Sequence, residues 1–154
     1  MPKSIVIKKS GGPEVLELQD VNVGTPGPDE IKVTNHAIGL NYIDTYHRSG
    51  LYPVKLPSGI GLEAAGKINE VGSNVTEFNK GDNIAYASVP LGAYAQQRVI
   101  PAKIAVKVPN GTEAYAILSP LLNSETFEPT SSIFPAASKP IPLGNLTGYK
   151  PDLW

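Results

Sequence analysis

The chain has 154 residues, a formal net charge of -1 and a charged fraction of 18%. That balance leaves no electrostatic footprint for nucleic acid or an anionic membrane surface, and the absence of cysteine excludes disulfides and thiolate metal sites and fits a reducing compartment. Met1 to Lys9 holds only three consecutive apolar residues, Ile5 to Ile7, too few for a signal-peptide core. No stretch approaches the roughly 20 apolar residues of a membrane span, so a cytoplasmic protein is expected.

Gly and Pro number 15 each, a content that suits short strands joined by turns. Twelve valines fall between Val6 and Val108 and none follows. Because β-branched side chains suit a pleated surface, strand character is expected to stop near Pro109. In chain order, Ile5 to Ile7 opens the series, and Gly11-Gly12-Pro13 turns the chain into Val15, Leu16 and Leu18. Glu30 to Ala37 alternates, with Ile31, Val33 and Ala37 on one side and Lys32, Thr34 and His36 on the other. Strands are also expected over Gly66 to Val71, Ile84 to Ala87, Ala93 to Val99 and Ile104 to Val108. The predicted fold is mainly β, a partly open antiparallel barrel with one or two short helices.

The one helix candidate runs from Asn41 to Ser49. Asn41 can cap it, Ile43, Tyr46 and His47 share a face, and Gly50 can end it. Two turns are marginal in isolation, so the helix needs the sheet to pack against. Residues 111–154 are different material, with six prolines, five serines and four threonines around one apolar cluster at Ala116 to Leu122. Pro135, Pro140 and Pro142 forbid a long helix there. The expected division is a domain at 1–110 and a tail at 111–154. The tail reads either as a poorly packed extension or as a docking or swapped arm anchored by its aromatic residues, which would allow a homodimer.

Several segments, in this order, resemble the medium-chain dehydrogenase/reductase superfamily in its NADPH:quinone oxidoreductase branch. They are Gly-Gly-Pro-Glu-Val-Leu at 11–16, Ala-Ile-Gly-Leu-Asn-Tyr-Ile-Asp-Thr-Tyr at 37–46 and Arg-Ser-Gly-Leu-Tyr-Pro at 48–53. Leu-Pro-Ser-Gly-Ile-Gly-Leu-Glu-Ala-Ala-Gly at 56–66, Glu-Val-Gly-Ser-Asn-Val at 70–75, Lys-Gly-Asp at 80–82 and Gly-Ala-Tyr-Ala at 92–95 complete the set. The resemblance spans about 110 residues and implies the GroES-like catalytic domain of such an enzyme.

In zinc-dependent relatives a histidine precedes the glutamate that matches Glu63, and a cysteine in the preceding helix supplies another ligand. Here Leu62 and Asp44 stand at those places, so no metal is expected, since a catalytic zinc needs about three protein ligands. His36 and His47 read as surface or packed histidines. The resemblance further implies NADPH as hydride donor and a quinone or conjugated carbonyl as acceptor. It places Asn41, Tyr42, Ile43, Asp44, Thr45 and Tyr46 toward the nicotinamide end of the cofactor, and Asn41, Tyr46 and Tyr52 at the reacting groups. The plainer alternatives are an N-cap for Asn41, a first-turn acid favoured by the helix dipole for Asp44 and core packing for the tyrosines.

In that family a dinucleotide-binding Rossmann domain follows the barrel, with a glycine-rich turn that receives the pyrophosphate. No such pattern follows Val108-Pro109. The near match Gly59-Ile60-Gly61-Leu62-Glu63-Ala64 lacks a preceding hydrophobic strand and reads as a false positive. A truncated or frame-shifted product, an engineered deletion and a natural small protein would all give this sequence. The chain alone is therefore expected to bind NADPH weakly or not at all. The alternative function is a non-enzymatic remnant or interaction module on the same fold.

Overall fold

The computed structural model describes residues 1–109, Thr112 and the short strand at 140–142. Within these residues two antiparallel sheets form and no closed barrel. The strands are β1 (Lys3–Ile7), β2 (Glu17–Asp20), β3 (Glu30–Gly39), β4 (Ser58–Gly59), β5 (Glu63–Val71), β6 (Asn83–Ala87), β7 (Gln97–Pro101), β8 (Ala105–Lys107) and β9 (Pro140–Pro142). A three-stranded sheet is ordered β2-β1-β4; a six-stranded sheet runs β7-β3-β5-β6-β8, with β9 on the outer edge of β3. The mainly β, partly open architecture expected from the turn-rich sequence is the one observed.

Strand β3 is the spine of the larger sheet. Its inward positions Ile31, Val33 and Ala37 are buried, as alternation predicts, but Asn35 is buried between them. Asn35 is tolerated there because every polar group it carries is bonded. Its amide nitrogen donates to the carbonyls of Ala93 (3.2 Å) and Ala95 (2.8 Å), and its oxygen accepts from the Tyr86 hydroxyl at 3.1 Å. A register irregularity between Asn35 and Ala37 lets His36 face solvent, the behaviour of a bulged residue.

The stretch predicted as one strand from Ala93 to Val99 is split. Only Gln97–Pro101 joins the larger sheet, while Tyr94 and Gln96 exchange backbone bonds with Ile5 (2.8 Å) and Lys3 (2.8 Å) of β1. This segment therefore crosses between the sheets and partly closes the gap between them. Strand β5 begins at Glu63, three residues before the predicted Gly66, and the segment Gly59 to Ala64 feeds that strand and no helix.

Ile5, Ile7, Ile31, Val33, Ile38, Ile60, Ile68, Ile84, Tyr86 and Ile100 fill the space between the sheets. The paired run of β9 matches Pro140 to Gly39, Ile141 to Ile38 and Pro142 to Ala37. Prolines two apart send their missing N–H positions to the same side, which leaves the intervening residue to make the ladder bonds; this is why proline is tolerated at a sheet edge. The apolar cluster Ala116 to Leu122 and the aromatic anchors of 111–154 lie outside the described residues.

Candidate active site at the start of the helix

Strand β3 ends at Gly39, and after two intervening residues helix α1 (Tyr42–Ser49) begins. Asn41 stands at its N-cap with extended backbone (φ -121°, ψ 149°), and Asp44 at the third helical position accepts the Asn41 backbone N–H at 3.0 Å. Gly50 closes the helix in the left-handed region, φ 87°, its N–H bonding the Tyr46 carbonyl. The sequence places Ile43, Tyr46 and His47 on the packed face, yet these are half-buried, and the helix residue that goes deepest is Asp44, 3% exposed.

Asp44 is one of four polar side chains, with Asn41, Glu63 and Tyr94, that meet beneath the start of the helix. The Tyr94 hydroxyl donates to Asp44 Oδ2 at 2.7 Å, while Oδ1 is buried and unbonded. Burial pushes the Asp44 carboxyl up to about 6, against the lowering effect of the Tyr94 and Asn41 bonds. Glu63 lies opposite Gly39 in the β3–β5 register and is wholly buried. Its Oε2 accepts the Asn41 side-chain amide at 2.9 Å, and Oε1 has no hydrogen-bond partner among the described residues. Burial raises Glu63 to about 7; the Asn41 bond opposes this, and the nearby Asp44 charge adds to it. Two carboxyls whose pKa values are raised toward neutrality are thus buried at this end of the sheet.

Two glycines make room for the pair. A Cβ at Gly39 would overlap the Glu63 carboxyl, and one at Gly61, where φ is 90°, would run into the Tyr94 ring. Tyr94 is held in place by its own main chain, because Asn35 grips the carbonyls of the residues on either side of it.

Outside the acid pair lies an aromatic cluster. Tyr46 meets Tyr42 edge-on at 5.4 Å and Tyr52 at 5.3 Å between ring centroids, and His47 packs on Tyr52 at 6.0 Å. Tyr42 and Tyr52 are exposed, 55% and 45%. His47 is half-buried and its pKa is lowered by desolvation; His36 is on the surface. Thr45 turns its hydroxyl back onto the Tyr42 carbonyl at 2.7 Å. Asn41, Tyr42, Tyr46 and Tyr52 therefore share the outer surface, whereas Asp44 faces inward.

From sequence Glu63 stands out only as the match to the glutamate beside a zinc ligand, and neither it nor Tyr94 is given a role at the site, although both lie within the motifs quoted above. The signal that could have found Glu63 is an acid flanked by glycines inside an apolar run. Among the described residues, no three His, Cys, Asp or Glu side chains group as a metal site.

Residues 27–110 match the model of the alcohol dehydrogenase GroES-like domain. The chain belongs to that family. Within it, similarity runs to the quinone oxidoreductases. A quinone oxidoreductase of Pseudomonas aeruginosa is 53% identical over 114 residues, covering 73% of this chain and 35% of that protein. A 2-haloacrylate reductase of a Burkholderia species is 43% identical over 113 residues, covering 71% of this chain and 34% of the relative. The crystal structure of Escherichia coli quinone oxidoreductase complexed with NADPH superposes with a TM-score of 0.71 at 46% identity, over 73% of this chain and 35% of that one. This GroES-like domain thus spans about a third of the length of the relatives it matches. No helix among its described residues is long and apolar enough to cross a membrane.

Proposed function

We propose that this domain forms the substrate side of a zinc-independent NADPH:quinone oxidoreductase, in which hydride passes from NADPH to a quinone or related conjugated carbonyl. The observation that carries the reading is the surface formed by α1 and the turn after it, where Tyr46 and Tyr52 build an aromatic wall beside the half-buried Asn41. Flat aromatic faces suit a flat acceptor. The relatives' names support the same chemistry: quinones and 2-haloacrylate are both conjugated acceptors.

NADPH, when bound, supplies the hydride, and the protein supplies position and an environment poor in water. The described residues fit the nicotinamide end of that cofactor. Asn41 offers an amide whose donor side is already held by Glu63, and Tyr42 lies exposed next to it. Asn41, Tyr42, Ile43 and Tyr46 would line this end, with Asp44 and Thr45 supporting them through the first turn of α1. Asn41, Tyr46 and Tyr52 would face the reacting groups.

The dinucleotide's pyrophosphate normally sits on a glycine-rich turn at a helix N-terminus. The one near match in the sequence, Gly59 to Ala64, runs into strand β5, so the polypeptide assayed alone is expected to bind NADPH weakly and turn over negligibly. Micromolar binding with steady NADPH oxidation by the chain alone would refute that expectation. The functional reading is tested by a chimera that joins residues 1–110 to the remaining part of the Escherichia coli relative. It should oxidise NADPH with a simple benzoquinone, and Tyr52→Ala should lower kcat/KM by up to roughly tenfold. A folded chimera that binds NADPH and reduces no quinone, while reducing no other conjugated carbonyl, would favour an interaction module instead.

A further inference from the structure

We infer that Glu63 is a positioning residue that fixes the side-chain amide of Asn41, the group set against the nicotinamide in the proposed function, on which this inference rests. An ionisable side chain wholly excluded from water is costly unless bonded, and Glu63 makes a single side-chain bond, to Asn41 Nδ2 at 2.9 Å, while Oε1 has none. Any packing role would be served as well by an apolar side chain, which carries no such penalty. What only an acceptor can do here is hold the amide nitrogen inward, and that turns the amide's carbonyl oxygen away from Glu63.

The surroundings are built to keep the carboxyl at this point. Gly39, its register partner on β3, has no Cβ, and one placed there would occupy the carboxyl's own volume. From the other direction Asp44 sits close enough for its charge to act on Glu63. Asp44 itself is tied to the Asn41 N–H (3.0 Å) and the Tyr94 hydroxyl (2.7 Å). Asn41 is thus held twice, by its backbone through Asp44 and by its side chain through Glu63. Because burial and Asp44 lift Glu63 to about 7, the partner of the amide changes between acid and carboxylate near neutrality, which makes the coupling measurable without any cofactor.

The test is nuclear magnetic resonance on the full 154-residue chain, following the Asn41 side-chain amide and the Glu63 carboxyl carbon from acid to alkaline pH. Both should shift with one shared midpoint near 7. Glu63→Gln, which keeps the shape and an acceptor oxygen, should abolish the step near 7 at the Asn41 side-chain amide, leaving only a response to Asp44 near 6, while the amide stays ordered. Asn41→Ala should raise the Glu63 midpoint, because the lost bond favours the carboxylate, and Asp44→Asn should lower it. An Asn41 amide that does not follow Glu63, or a Glu63 midpoint unmoved in Asn41→Ala, would overturn the inference. Reduced nicotinamide mononucleotide is then titrated in, and it should shift the Asn41 amide less in Glu63→Leu than in the parent chain. A shared midpoint with no response to the mononucleotide would overturn the functional reading and leave the positioning role standing.

Discussion

Replacing Glu63 by glutamine should make the fold more stable in alkaline solution and leave it nearly unchanged in acid. The folded protein holds a proton on Glu63 up to about pH 7, whereas the unfolded chain releases it near 4.5. Between those values the folded state binds more protons than the unfolded state, so stability falls as pH rises, and the loss is complete above the folded midpoint. At about 1.4 kcal/mol for each pH unit, the displaced midpoint corresponds to roughly 3 kcal/mol. Glu63→Gln carries no charge at any pH and should escape that loss while still accepting the Asn41 amide. His47 acts in the opposite sense, since burial lowers its pKa and its contribution grows with pH. Asp44, raised to about 6, acts in the same sense as Glu63, so the difference between parent and variant, rather than the parent's own slope, reports Glu63 together with its coupling to Asp44. Urea unfolding followed by circular dichroism at pH 5 and pH 8 measures it. Parent and variant curves that keep the same separation at both pH values would refute the reasoning, because the buried carboxyl would then not be titrating in this window.

Tyr94→Phe removes the hydroxyl bonded to Asp44 Oδ2. A lost bond to a charged group should cost about 2 kcal/mol at pH 8, where Asp44, with its midpoint at about 6, is ionised, and less at pH 5; equal costs at the two pH values would contradict this. Gly61→Ala places a side chain at φ 90° against the Tyr94 ring, and strain plus overpacking should lower stability by more than about 2 kcal/mol, read from the urea midpoint. Deleting residues 111–154 removes the strand that pairs with Ala37 to Gly39. An uncovered sheet edge invites pairing between chains, so light scattering after size exclusion should show increased self-association; an oligomeric state unchanged by the deletion would refute this.

Much of this molecule can be read along the chain. Alternating apolar residues, β-branched enrichment and glycine or proline turns are local signals, and they suffice for β3, β5, β6 and β8 of the larger sheet and for the helix between Asn41 and Gly50, but not for β9, which lies past Pro109 where strand character is expected to stop. The ordered motifs likewise pointed to the family. Local signals failed where the backbone obeys a distant partner. Ala93 to Gln96 has strand composition, yet it spans two sheets because β1 and Asn35 both bond to it.

The site divides in the same way. Asn41, Tyr42 and Tyr46 lie within one short segment, so their nearness is a property of the sequence, and Tyr52 follows at the end of the next turn. The union of Asp44, Glu63 and Tyr94 is not, because they are separated by tens of residues and meet only when β5 pairs with β3 and the segment before β7 folds beneath α1. A raised carboxyl pKa comes from burial or a nearby like charge, and neither exists here until the chain has folded. Sequence alone determined a turn-rich β domain with a polar and aromatic helix start; the tertiary structure decided that two acids near neutrality lie behind it, since only packing removes the water that would otherwise keep them ionised.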